Sequence, residues 1–246
     1  MQPARVRALP CGEPARKSEP EARALLFLAV GLPALCFVLL TVAVRLRHTR
    51  WLDLRALHAA ARLRGAPFST VVVGHGGYVQ IHPGGRFAAL DALLGHVGDP
   101  AVASVCVLAL AMWALRSSPR RAAALPLAFA GAVAVELALK HLVYHPEPGS
   151  VTSIYPYAVR SSYPSGHTLV AGFLAASVTL LSSRKTVAAA ALVFVGLVAC
   201  SRLFTGDHWL SDVAGGALLG WLAGAVVLAS SARAPLLLRL GRAHPG

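Results

Sequence analysis

"ALLFLAVGLPALCFVLLTVAV", residues 24–44, decides what kind of chain this is. It carries no charge over roughly 21 residues, and an α-helix needs about 20 to cross the hydrocarbon of a bilayer. A cleaved secretory leader is a poor account of it. The polar lead "MQPARVRALPCGEPARKSEPEAR" is long for a leader, and the apolar run is long enough to stay in a membrane. We read it as a retained membrane helix. Composition agrees: of 246 residues 56% are hydrophobic and 13% charged, where a soluble domain carries about 25% charged residues.

Five more apolar runs follow, at about 100–115, 122–143, 168–182, 186–203 and 213–232. None alternates with period two, and a spanning segment must satisfy its own backbone, so strands are a poor reading of them. The expected fold is all-α, a six-transmembrane-helix bundle with a short interfacial helical region after the first helix. Residues 1–23, rich in Pro, Arg and Glu, read as a disordered cytoplasmic tail. Residues 24–232 form the membrane domain, and 233–246 a basic cytoplasmic tail. Within 45–99, "LRALHAAARLRG" sets basic residues against Leu and Ala, as a helix lying in the interface does. The Gly-rich "VVVGHGGYVQIHPGG" is too short to span, and "RFAALDALLGHVG" reads as a second short helix.

The net charge is +13. In a soluble protein that would suggest nucleic acid. Here the arginines crowd the ends of apolar runs, which favours anionic headgroups and control of topology, and no nucleic-acid partner is expected. The short loops "RSSPRRAA" (116–123) and "SSRKT" (182–186) and the C-terminal tail are basic, which places them and the N-terminus in the cytoplasm. Loop 45–99 is also arginine-rich yet falls outside, against the same rule. The four cysteines show no C-x-x-C spacing and read as inert buried thiols.

In this orientation the unusual polar residues collect on the outer side, in "LKHLVYHPEPG" (139–149), "YPSGHT" (163–168) and "SRLFTGDHWLSDVAGG" (201–216). His208 and Asp212 are four apart and share one helix face. A carboxylate that holds one imidazole nitrogen as N–H leaves the other as a nucleophile or base. The other reading of that pair is an N-capping aspartate beside an interfacial histidine. Ser165 and Gly166 can offer backbone N–H groups at a helix N-terminus, where the dipole favours an anion. His167 follows as a proton donor, or else as a histidine at headgroup level. Arg202 brings a planar fork suited to phosphate oxygens. Lys140 either binds phosphate or snorkels while paired to Glu136 one turn earlier. Two imidazoles, two cations and a carboxylate at one depth make up the set for covalent phosphoryl transfer without a metal.

These residues resemble the type 2 phosphatidic acid phosphatase (PAP2) superfamily, whose signature is K-x6-RP, then PSGH, then SR-x5-H-x3-D. Pro164-Ser165-Gly166-His167 gives the second element, and Ser201-Arg202, His208 and Asp212 give the third without a gap. In the first, Lys140 and Pro148 are in place but Glu147 fills the arginine position. His145 and Arg160 are the nearby groups able to restore a positive charge. The resemblance implies a phosphohistidine on His208, oriented by Asp212, with His167 as general acid. Lys140, Arg202, Ser165, Gly166 and Arg160 would hold the phosphate, with neither metal nor other cofactor. It implies an integral plasma-membrane lipid phosphatase acting on the extracytoplasmic side. Its substrate would be a polyprenyl (di)phosphate, phosphatidic acid or phosphatidylglycerol phosphate, and a homo-oligomer stays open. The alternatives are a catalytically weak or dead relative and a small anion transporter.

Overall fold

The computed structural model describes residues 24, 26–65, 71–73, 79–81, 88–146, 148, 161–182 and 184–240. At 71–73, 79–81, 88, 90, 91 and 228–240 it describes the backbone alone. Each of the six apolar runs is helical. Helix α1 spans Phe27–Arg45 and α2 Arg50–Arg64. A small antiparallel pair follows, β1 (Val71–Val73) and β2 (Val79–Ile81), with Val72 opposite Gln80. Helix α3 (Ala88–Gly95) ends in a 3-10 turn, His96–Gly98. Then come α4 (Pro100–Leu115), α5 (Pro119–Leu142), α6 (Gly166–Ser182), α7 (Lys185–Thr205) and α8 (Leu210–Leu240). The described residues are thus predominantly helical, and within the Gly-rich stretch 71–73 and 79–81 pair as short strands. Residues 233–240 of the expected tail continue α8.

Local chemistry sets the ends. Asp99 and Ser118 cap α4 and α5, accepting from Ala101 N (2.9 Å) and Arg121 N (3.4 Å), and each is followed by a proline at the first helical position. Such caps satisfy N–H groups that have no intrahelical partner, and proline has none to satisfy. Gly206 ends α7 with φ 75°, a left-handed conformation that costs glycine little, and so turns the chain toward His208.

Among the described residues, α1, α5, α7 and Leu210–Val227 are long and apolar enough to cross a membrane. Helix α4 joins them as a fifth candidate if counted with Ala92–Gly98, from which it is bent by 69°. Helix α6 is apolar but has 17 residues, about 26 Å at 1.5 Å per residue. That is a little short of the roughly 30 Å hydrocarbon thickness, so four to five candidate spans stand among the described residues where six were expected.

The short helix is the centre of the bundle. Its small side chains let neighbours close in from all sides. Phe173 joins Leu110, Leu125 and Val227 in one cluster, Leu169 packs with Ala132 and Leu219 in another, and Ala171 with Leu94 and Val198 in a third. Outside, the polarity is inverted. Leu35, Val38 and Leu39 of α1, Leu108 and Met112 of α4 and Leu192 and Val193 of α7 are exposed, while Thr168 and Ser177 of α6 are buried. An exposed apolar surface of this extent is what a lipid environment covers. Cys36 and Cys200 lie exposed on that surface, contrary to their expected burial, because their helices turn that side outward.

Helices α6 and α8 meet along a seam of glycines, Gly216, Gly220 and Gly224, spaced by four on one face of α8. A β-carbon at Gly220 would strike the Leu169 carbonyl and stand 2.7 Å from Phe173 N, and one at Gly216 would strike Ser165 O. Small residues at this spacing let backbones approach closely, the main source of helix association where lipid removes the hydrophobic drive. The seam fixes the start of α8 against the start of α6.

Candidate active site

The end of α5, the start of α6, the end of α7 and the start of α8 come together on one side of the bundle. Ser165 N donates to Asp212 O (3.1 Å), so the Pro164–His167 turn rests directly on the first turn of α8. Tyr163, fully buried, shares a 2.8 Å hydrogen bond with Thr41 of α1. Burial pushes its phenol up to about 12, so it stays a neutral hydroxyl and ties this loop to α1.

Asp212 has no solvent exposure. Its Oδ2 accepts from Trp209 N at 2.9 Å, closing the N-terminus of α8 in the manner of a capping box. The same oxygen lies 3.5 Å from His208 Nδ1. That distance is longer than a well-made hydrogen bond, yet it turns Nε2 of His208 away from the carboxylate. The capping and orienting readings of Asp212 are therefore one arrangement, both resting on Oδ2.

Oδ1 of Asp212 has a partner that sequence reasoning assigned elsewhere. His145 Nδ1 stands 2.7 Å from it, while His145 Nε2 faces Asp53 Oδ2 at 4.0 Å. His145, named as a stand-in for the missing arginine, instead bridges two carboxylates. Asp53 comes from α2 and is 2% exposed. It accepts from both the N–H and the hydroxyl of Ser211, each at 2.9 Å. The first turn of α8 is thus held from outside by Asp53 and from within by Asp212. No spacing rule links Asp53 to Ser211 across 158 positions, so the sequence could not have shown this contact. Asp53→Ala strands the Ser211 donors, and loss of such a cap costs about 1–2 kcal/mol. We expect a fall of several degrees in Tm, read by thermal unfolding in detergent.

His167 is held by its ring. Nε2 lies 3.0 Å from Gly95 O, and a carbonyl only accepts, so Nε2 carries the hydrogen and Nδ1 is left for proton exchange. Gly98 lies so close over the ring that a β-carbon there would overlap it. Both Arg202 and His208 are electrostatic neighbours of His167. Arg202, 6% exposed, donates to Ser201 Oγ (2.8 Å) and Asp207 Oδ2 (3.3 Å). Lys140 pairs with Glu136 at 3.5 Å. A β-carbon at Gly166 would stand 2.9 Å from Glu136 Oε1, which puts this carboxylate against the mouth of α6.

One expectation changes. Ser165 was read as a backbone donor for an anion, but its N–H is spent on Asp212 O. What it leaves is a buried hydroxyl with no hydrogen-bond partner among the described residues. The backbone donors at the mouth of α6 are those of Gly166 and His167, which open the helix and have no intrahelical acceptor. Arg160 and Glu147 lie outside the described residues. Gly95, Asp53 and Asp207 escaped sequence reasoning. Of these only Asp207, next to the SR-x5-H element, sat where a closer look could have found it.

Residues 121–235 match the model of the PAP2 superfamily. The chain carries a PAP2 superfamily domain. The match covers α5 to α8 and every motif residue from Lys140 to Asp212, whereas Asp53 and Gly95 precede it. The chain is also 26% identical over 145 residues to undecaprenyl-diphosphatase BcrC of Bacillus subtilis (strain 168), across 56% of this chain and 72% of that protein. In fold it is similar to the crystal structure of the first transmembrane PAP2 type phosphatidylglycerolphosphate phosphatase from Bacillus subtilis. The TM-score is 0.59 at 20% identity, covering 82% of this chain and 95% of that one. With its exposed apolar helices, the chain is an integral membrane protein.

Proposed function

We propose that the protein is a lipid phosphatase that cleaves a phosphomonoester or pyrophosphate through a phosphohistidine, with the six helices α1 and α4–α8 crossing the bilayer. The observation that carries this is the pairing of His208 with buried Asp212 at 3.5 Å, beside the mouth of α6. The likeness to BcrC, named for a lipid diphosphate, and to a structure named for a lipid phosphate supports the substrate class. A polyprenyl (di)phosphate, phosphatidic acid and phosphatidylglycerol phosphate are the candidates.

In the first step His208 Nε2 attacks phosphorus, the N–P bond forms, and the bond from phosphorus to the leaving oxygen breaks. His167, protonated on Nδ1, gives that proton to the leaving oxygen while its Nε2–H stays on Gly95 O. In the second step His167 Nδ1 takes a proton from water, whose oxygen attacks phosphorus, and phosphate leaves with His208 restored. Asp212 stabilises the positive charge that His208 acquires. Arg202, Lys140, the N–H groups opening α6, Ser165 Oγ and Arg160 meet the equatorial oxygens. Lys140 exchanges Glu136 for phosphate. The site opens at the helix ends, so a lipid reaches it with its tail still in the bilayer. By the basic loops 116–123 and 182–186 this end faces out of the cell at the plasma membrane, with α2 lying along the outer interface.

A panel of lipid phosphates, assayed for phosphate release with purified protein in EDTA, tests this reading. Turnover of at least one, undiminished by EDTA, is expected. No release from any, or release that EDTA abolishes, would overturn the reading or its metal-free chemistry.

A further inference from the structure

The arginines that follow α1 break the charge rule that orients the rest of the bundle. The structure gives several of them a task. Arg64, 1% exposed, donates to Phe204 O at 2.9 Å and fastens α2 to the end of α7. Arg55 lies over the Trp51 ring at 5.2 Å, and Arg62 donates to His58 O. Arg47 and Arg50 differ. Their side chains have no hydrogen bond or ion pair among the described residues, and both line one cavity of ≈ 290 Å³.

Two arginines and two aromatic side chains line this cavity. Arg47 has φ 60° at the turn that ends α1, a left-handed place that glycine usually takes. A side chain there is disfavoured, yet the position holds an arginine whose side chain lines the cavity. Tyr144 and Trp209 add aromatic walls of the kind that meet lipid headgroups. Trp209 is itself fixed, its ring N–H donating to Pro146 O at 2.6 Å. Among the described residues Asp53 is the acid in the lining, and both its oxygens accept from Ser211. His145 forms the partition, with Nδ1 on Asp212 of the catalytic cage and its ring against the cavity.

We infer that this cavity is a second oxyanion site, distinct from the catalytic cage, which takes the phosphate group of a lipid headgroup between Arg47 and Arg50. The phosphate belongs either to a neighbouring anionic phospholipid or to a distal group of the substrate, and the chemistry of recognition is the same. Binding here does not depend on turnover, so it can be tested apart from the proposed catalysis.

The test uses the full chain with Trp51, Trp113 and Trp221 changed to phenylalanine, leaving Trp209 as the reporter, in phosphatidylcholine nanodiscs. Brominated phosphatidylglycerol is expected to quench Trp209 at far lower mole fraction than brominated phosphatidylcholine. The preference should be roughly thirtyfold, the size given by two basic side chains at an anionic lipid. It should fall to near one in Arg47→Gln/Arg50→Gln and return in Arg47→Lys/Arg50→Lys, which a folding defect would not allow. Displacement by dissolved glycerol 3-phosphate would assign the site to the phosphate group alone, and its failure would assign it to the membrane-borne lipid. Equal quenching by both lipids overturns the inference. So does a preference that survives in the glutamine pair but vanishes in Arg202→Ala, because the anion would then sit in the cage.

Discussion

His208→Ala is expected to release phosphate at least about 10⁴-fold more slowly than the native protein, the scale on which removal of a nucleophile from a cooperating set acts. In the proposed reaction this imidazole makes the bond to phosphorus, and no neighbour can replace it. His167 Nε2 is held on Gly95 O, and His145 Nδ1 on Asp212. The substitution leaves the fold intact, because the first turn of α8 is capped by Asp53 and Asp212, not by His208. Single-turnover phosphate release, alongside an unchanged unfolding temperature, is the measurement. Activity within tenfold of native in a folded His208→Ala protein would reject the phosphohistidine.

Gly220→Leu is expected to prevent the protein from folding to a stable state in detergent. Overfilling a packed core costs about 1–3 kcal/mol, and more where nothing can yield. At Gly220 nothing yields, since the atoms in the way are the Leu169 carbonyl and Phe173 N, both backbone of α6. Pushing α8 off α6 also breaks the Ser165–Asp212 contact that sets the mouth of α6 against His208. Gly196→Leu is the matched control, because a β-carbon there meets nothing within 4 Å. Size-exclusion profile and thermal unfolding should separate the two variants cleanly. Equal stability would mean that the glycine seam does not hold the bundle.

How much of this could be read from residues alone divides along physical lines. The apolar runs gave every long helix, since burial in lipid leaves a strong one-dimensional trace. The pairing of His208 and Asp212 was legible from their spacing, although His208 stands two residues before α8 and meets Asp212 from the turn and not from a shared helix face. The Gly216-x3-Gly220-x3-Gly224 spacing is just as visible and marks the packing face of α8. Contacts across the chain left no trace. Nothing in "HLVYHP" says that His145 turns to Asp212, and nothing in "RWLDLR" says that Asp53 caps the first turn of α8 through Ser211. The dual use of Ser165 was hidden too, because its N–H was spent on a carbonyl 47 positions away.

The grip of Asp53 on Ser211 has a mechanical side. Helix α2 turns Trp51, Leu52 and Leu63 outward, while Asp53 and Arg64 face the protein. Two 2.9 Å bonds join this helix to the first turn of α8, one residue from Asp212. Any displacement of α2 against the bundle must therefore break these bonds or carry Ser211 with it.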